Sequence, residues 1–168
     1  MQDVELFLSL AEIAGVFVGF GALIAVRSGG ASAVSEVAMM RGVVSMGLLT
    51  VVAALAPVTL GRYSLAEHEA WALSSALALV LLVLFAVVMV MTPEYRQTLR
   101  THSRFTYVED GAAMLLDIVL VVLPIIIVLG LRPDLEAALY FTFVVLLLLG
   151  AGWVLLDLVF WQRRPTSG

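Results

Sequence analysis

Five long apolar stretches, at about 4–26, 37–60, 69–91, 112–131 and 136–161, alternate with short polar breaks along the chain. A helix that crosses a bilayer needs about 20 mainly apolar residues, because hydrocarbon offers the backbone no hydrogen-bond partner and only internally bonded segments are tolerated there. Each stretch meets that length. The breaks between them carry turn chemistry: Arg27-Ser28-Gly29-Gly30, Gly61-Arg62-Tyr63-Ser64, Thr92-Pro93-Glu94, Glu109-Asp110-Gly111 and Arg132-Pro133-Asp134. The apolar runs are continuous rather than alternating with period two, which excludes a membrane β-barrel. The pattern predicts an all-α integral membrane protein, one membrane domain over residues 1–168 built as a bundle of five transmembrane helices.

An odd number of spans puts the termini on opposite sides, so arginines can be counted by side under the positive-inside rule. One side holds Arg27, Arg96, Arg100, Arg104, Arg163 and Arg164, and the other holds Arg62 and Arg132. The excess predicts a cytoplasmic C-terminus and an outer N-terminus, and the expected location is a bacterial inner (plasma) membrane. Aromatic residues agree with this assignment: Tyr63, Trp71 and Tyr140 fall at the outer interface, and Tyr95, Phe105, Phe160 and Trp161 at the inner one. The segment Ala31-Ser32-Ala33 has the form of a signal-peptide cleavage site. Its upstream region is acidic, overlong and interrupted by Glu12, so the first stretch reads as a helix of the mature protein.

The longest polar stretch, 92–111, is a cytoplasmic loop. Thr92-Pro93-Glu94 starts a short helix, with a capping hydroxyl, Pro at the first position and an acid in the first turn. Arg96, Arg100 and Arg104 then recur every four residues as one basic stripe. Such a stripe suits anionic headgroups at the inner leaflet, or serves only to set topology.

Composition narrows the chemistry. Of the 168 residues 62% are hydrophobic and 13% charged, the basic residues are all Arg, and acids outnumber them by 13 to 9, so a nucleic-acid footprint is absent. There is no cysteine, and both histidines, His68 and His102, fall in polar segments. No thiol nucleophile, metal site, haem or other cofactor is therefore expected inside the bilayer, and no enzyme chemistry is legible.

Away from their ends, the spans hold four acidic or basic residues: Glu12, Arg41, Asp117 and Asp157. Each costs a few kcal/mol at the bilayer centre unless it is paired, hydrated or near an interface. At about 1.5 Å of rise per residue, Arg41, Asp117 and Asp157 lie about 7, 8 and 6 Å in from the cytoplasmic end. Their common level predicts an ion-pair cluster tying three helices together; alternatively, Asp117 and Asp157 wall a cation-admitting vestibule that Arg41 tunes. Glu12 lies about 12 Å below the outer end, where no basic residue of another span matches its depth. On a helical wheel it shares a face with Glu5, Leu8, Gly15, Val16, Gly19 and Leu23, opposite Phe7, Leu10 and Phe17. Ala11, Gly15 and Gly19 follow a small-xxx-small pattern that lets a second helix approach closely. The carboxyl is accommodated by protonation, by a hydroxyl of Ser74, Ser75 or Thr142 at similar depth, or by water.

The stretch Leu10-Ala11-Glu12-Ile13-Ala14-Gly15 resembles the first-helix segment of the small multidrug resistance transporters. There, a membrane-embedded glutamate binds proton and cation in turn, and the resemblance implies a carboxylate-exchange role for Glu12. It covers six residues; that family has four shorter spans in a shorter chain, so the likeness is local.

Pro57 and Pro124 predict kinks in the second and fourth helices, and Gly150 and Gly152 predict close helix contact. Met39, Met40 and Met46 read as packing. A five-helix monomer has little interior for a complete pathway, so transport favours a homo-oligomer with helix 1 at the subunit interface. The leading expectation is a homo-oligomeric cation or proton-coupled channel or transporter, with Glu12 as its key acid and Asp117 and Asp157 extending the ion pathway. The competing expectation is a non-transporting scaffold or accessory subunit that docks a membrane partner protein or lipid.

Overall fold

A computed structural model describes the backbone of residues 4–27, 34–63, 65–92 and 107–161, and side chains over most of that length. Five α-helices account for nearly all of it: α1 (Val4–Arg27), α2 (Val34–Leu60), α3 (Glu67–Met91), α4 (Tyr107–Val128) and α5 (Glu136–Trp161). A 3-10 turn, Pro133–Leu135, leads into α5. No strand occurs among the described residues. Four segments are long and apolar enough to cross a membrane: Val4–Ile24, Met40–Leu60, Glu67–Met91 and Pro133–Leu156. The apolar part of α4, Met114–Val128, is shorter.

Local chemistry sets the helix ends. The Ala66 N–H donates to Glu69 Oε2 at 3.2 Å, which satisfies a backbone donor at the start of α3. Thr92 closes that helix, its hydroxyl donating to Val88 O at 2.7 Å. Helix α4 begins at Tyr107 and ends at Val128, several residues earlier at both ends than the apolar run 112–131 suggests. Gly130 explains the early stop. It takes φ +61°, and its N–H and that of Leu131 return to Ile127 O and Ile126 O at 3.0 and 3.2 Å. This is a Schellman closure, which needs a left-handed residue that only glycine adopts without cost.

The helices run alternately up and down. Phe7 of α1 packs on Trp71 of α3 and on Tyr140 and Phe141 of α5, so the starts of these three helices share one end of the bundle. Residue His68 marks that end and Arg41 the opposite one. Helix α5 touches all the others, while α1 packs mainly on α2 and α4 packs on α3 and α5. The main core lies toward the His68 end and includes Phe7, Trp71, Leu120, Ile127, Tyr140, Phe143 and Leu147. A small second cluster, Met40 and Val43 with Ile24, Val154 and Leu155 against it, joins α1, α2 and α5 toward the Arg41 end. Helix α3 has no buried side chain beyond Ala78, and α4 has none before Leu120 among those described.

Glycines set the closest approaches. A Cβ placed on Gly47 of α2 would lie 2.5 Å from Val18 Cγ2, and one on Gly21 of α1 would lie 3.1 Å from Val43 Cγ1. A Cβ on Gly150 would lie 3.3 Å from Met46 Cε and one on Gly152 3.3 Å from Phe17 Cε2, so both glycines sit at tight helix contacts.

Trp71 and Tyr140 correct the expectation of an outer aromatic belt. They are buried inside the bundle, 4% and 0% exposed, whereas Tyr63 is 75% exposed. The reason for Tyr140 lies in α2. Pro57 lacks an N–H, so Ala53 O has no helical donor four residues on. The Tyr140 hydroxyl donates to that carbonyl at 2.7 Å.

Candidate functional site

Helix α1 buries one narrow stripe, Phe7, Ala14 and Gly21, with Leu10, Phe17 and Val18 half-buried beside it. The seven-residue spacing of the buried positions returns them to nearly one face, so the rest of the helix turns away from the bundle. Glu12 lies in the middle of that outward face. Glu5, Leu8, Gly15, Val16, Gly19 and Leu23 around it are exposed, and Ala11 at its edge is half-buried. Among the described residues, nothing beyond the helix's own neighbouring backbone comes within 4 Å of a Cβ placed on Gly15 or Gly19. Within one copy, therefore, the close helix approaches are made by Gly21 and Gly47, and the Gly15 and Gly19 face is uncovered.

Glu12 makes no hydrogen bond or ion pair with any described residue. Two of the hydroxyls considered for it are placed elsewhere: Ser74 and Ser75 are fully buried on α3. The Ser74 hydroxyl donates to Ala70 O at 2.7 Å, while Ser75 Oγ has no partner among the described residues. Thr142 is exposed on α5 and donates to its own helix, to Ala138 O at 2.8 Å. None of the three reaches Glu12.

Arg41 and Asp117 are both exposed; Arg41 has a partner of its own, and Asp117 makes no ion pair among the described residues. Asp117 stands at the margin of α4's buried face, one position from half-buried Leu116. The side chain of Asp157 lies outside the described residues, and with it the completeness of the three-residue cluster. The basic stripe of Arg96, Arg100 and Arg104 also lies outside them. No group of three metal-ligating side chains occurs among the described residues.

A polar pair that the apolar pattern does not reveal closes the other side of the bundle. Glu136, the first residue of α5, is buried, and its Oε1 lies 2.6 Å from Nδ1 of half-exposed His68 at the start of α3. Gly130 makes room for this contact, since His68 Cε1 lies 3.4 Å from where its Cβ would stand. The signal available in the sequence was positional: one His and one acid at the starts of two parallel helices. An anionic side chain in a helix's first turn is further favoured by the helix dipole.

Two chemically distinct regions result. His68 and Glu136 satisfy each other and hold α3 to α5. Glu12 is an acid with no partner among the described residues, set in a face of apolar and small residues. No family model, curated protein or solved structure matches this chain.

Proposed function

We propose that this chain is the protomer of a homo-oligomeric channel or transporter for cations or protons, with Glu12 as the acid that binds and releases the ion at the subunit interface. One observation carries the reading: Glu12 occupies the centre of an outward helix face, with no partner among the described residues and with glycines beside it. A carboxyl so placed in hydrocarbon costs a few kcal/mol, and further copies of the chain, with water between them, remove that cost. The arginine distribution sets the N-terminus outside and the C-terminus in the cytoplasm of a bacterial inner membrane. Asp117, and Asp157 on α5, extend acidic character toward the cytoplasmic end.

A non-transporting scaffold or accessory subunit is the second reading. It is favoured by the placement of Glu12 and Asp117 on α1 and α4, helices that form no extended contact, so that one copy does not join the two acids.

Flux of cations and protons into proteoliposomes tests the choice. Wild-type protein conducts or exchanges an ion, and Glu12→Gln, prepared in the same oligomeric state, loses at least tenfold of that flux. Equal flux in both proteins, or none in either while both remain folded, contradicts the proposal.

A further inference from the structure

Helix α5 carries an uncovered stripe of its own. Ala138, Thr142, Leu149, Trp153 and Leu156 are all exposed and fall within about 60° of one another at 100° per residue. Gly152, on one flank of that stripe, faces Phe17 of α1, and Gly150, on the other, faces Met46 of α2 and Leu116 of α4. Helices α1 and α4 therefore border α5 on opposite sides without extended contact with each other. The strip of surface between those two helices, here termed the groove, exposes Leu149 at 61% and Trp153 at 65%.

We propose that this groove receives α1 of a second copy of the chain, with that copy's Glu12 seated beside Thr142. The inference rests on the homo-oligomer reading above and names the surface that completes it. Three observations select α1 as occupant.

The first is direction and depth. Helices α1 and α5 run in the same sense, because Phe7 packs on Tyr140 and Phe17 on Gly152. Two copies related by an axis along the membrane normal keep that sense. At about 1.5 Å per residue, Glu12 lies about 12 Å from the start of α1 and Thr142 about 9 Å from the start of α5, within reach of a glutamate side chain.

The second is polarity. Thr142 is the one polar residue of the stripe, and Glu12 lies at the centre of the face that would meet it. The Thr142 hydroxyl, donating to Ala138 O in the single chain, still has lone pairs to accept a hydrogen bond from a neutral Glu12 carboxyl. It can also rotate to donate to the ionised carboxylate. A lipid acyl chain in the groove offers Glu12 neither bond.

The third is size. Leu149 and Trp153 lie about 20 and 26 Å down α5, level with Gly15 and Gly19 at about 17 and 23 Å down α1. Large side chains on the floor thus face the positions of α1 where nothing stands within 4 Å of a Cβ. A two-fold axis satisfies both copies at once: each α1 enters the other's groove and each Glu12 gains a Thr142.

The absence of cysteine makes the test direct. Two differently tagged chains, one carrying Val16→Cys and one Leu149→Cys, are co-expressed and oxidised in the membrane. Both positions are exposed, so the substitutions do not disturb the core. The control replaces Leu149→Cys by Val80→Cys, at similar depth on the exposed face of α3. Light scattering of the purified protein in detergent gives the oligomeric mass. The proposal expects a mixed disulfide-linked adduct at least fivefold more abundant than in the control. An oligomer whose mixed adduct does not exceed the control overturns the groove while leaving the homo-oligomer reading intact. A purely monomeric protein overturns both.

Discussion

Tyr140 shows how one side chain replaces a hydrogen bond that proline removes from a helix. Pro57 removes the donor that would have bonded Ala53 O, and the Tyr140 hydroxyl replaces it from another helix. The substitution Tyr140→Phe leaves that buried carbonyl without a donor, and is expected to cost about 1–3 kcal/mol in reversible unfolding in mixed micelles. The pair at the bundle end obeys similar logic. Replacing His68 by Ala leaves buried Glu136 with no partner, at a cost of about 1–3 kcal/mol. Adding Glu136→Leu to His68→Ala removes the stranded acid, so the double variant should unfold later than His68→Ala alone; an earlier unfolding would assign Glu136 a second partner. These roles were hidden in the sequence. Tyr140 has the depth of an interfacial anchor, and which way it points depends on a carbonyl 87 residues away. For Glu12, depth and sign alone say that no arginine of another span matches it, while the hydroxyls of Ser74, Ser75 and Thr142 stayed open until their own bonds and burial were seen.

At the scale of the helix, apolar length and turn residues placed the five long helices, four of which reach the apolar length that a membrane span requires. The limits of α4 were less legible, because a Schellman closure depends on the φ of Gly130 and not on hydropathy. The glycine pattern was legible as pattern but not as role. Gly15 and Gly19 lie on the outward face, while Gly47, outside the small-xxx-small series of α1, makes the closest α1–α2 contact. The two classes should respond oppositely. Gly47→Leu overpacks α1 against α2 and is expected to cost about 1–3 kcal/mol. Gly15→Leu meets nothing in its own chain, so the stability of the single copy should not fall, while light scattering should show fewer oligomers. Loss of monomer stability in Gly15→Leu would place that face inside the chain's own core.

At the scale of the molecule, burial is uneven. Helices α1, α2 and α5 pack together at both core clusters, whereas α3 and α4 contribute buried side chains only toward the His68 end. The face of α1 and the groove over α5 are left uncovered, and the acid at the centre of that face sets the functional reading. Its central claim is that Glu12 meets water and protein from a second copy instead of lipid. The most direct measurement is the reaction of a charged thiol reagent with Glu12→Cys, compared with Leu77→Cys at similar depth on the exposed face of α3. Only a thiol that can ionise in water reacts at an appreciable rate. The account predicts modification at position 12 at least tenfold faster than at position 77; equal and negligible rates at the two positions would contradict it.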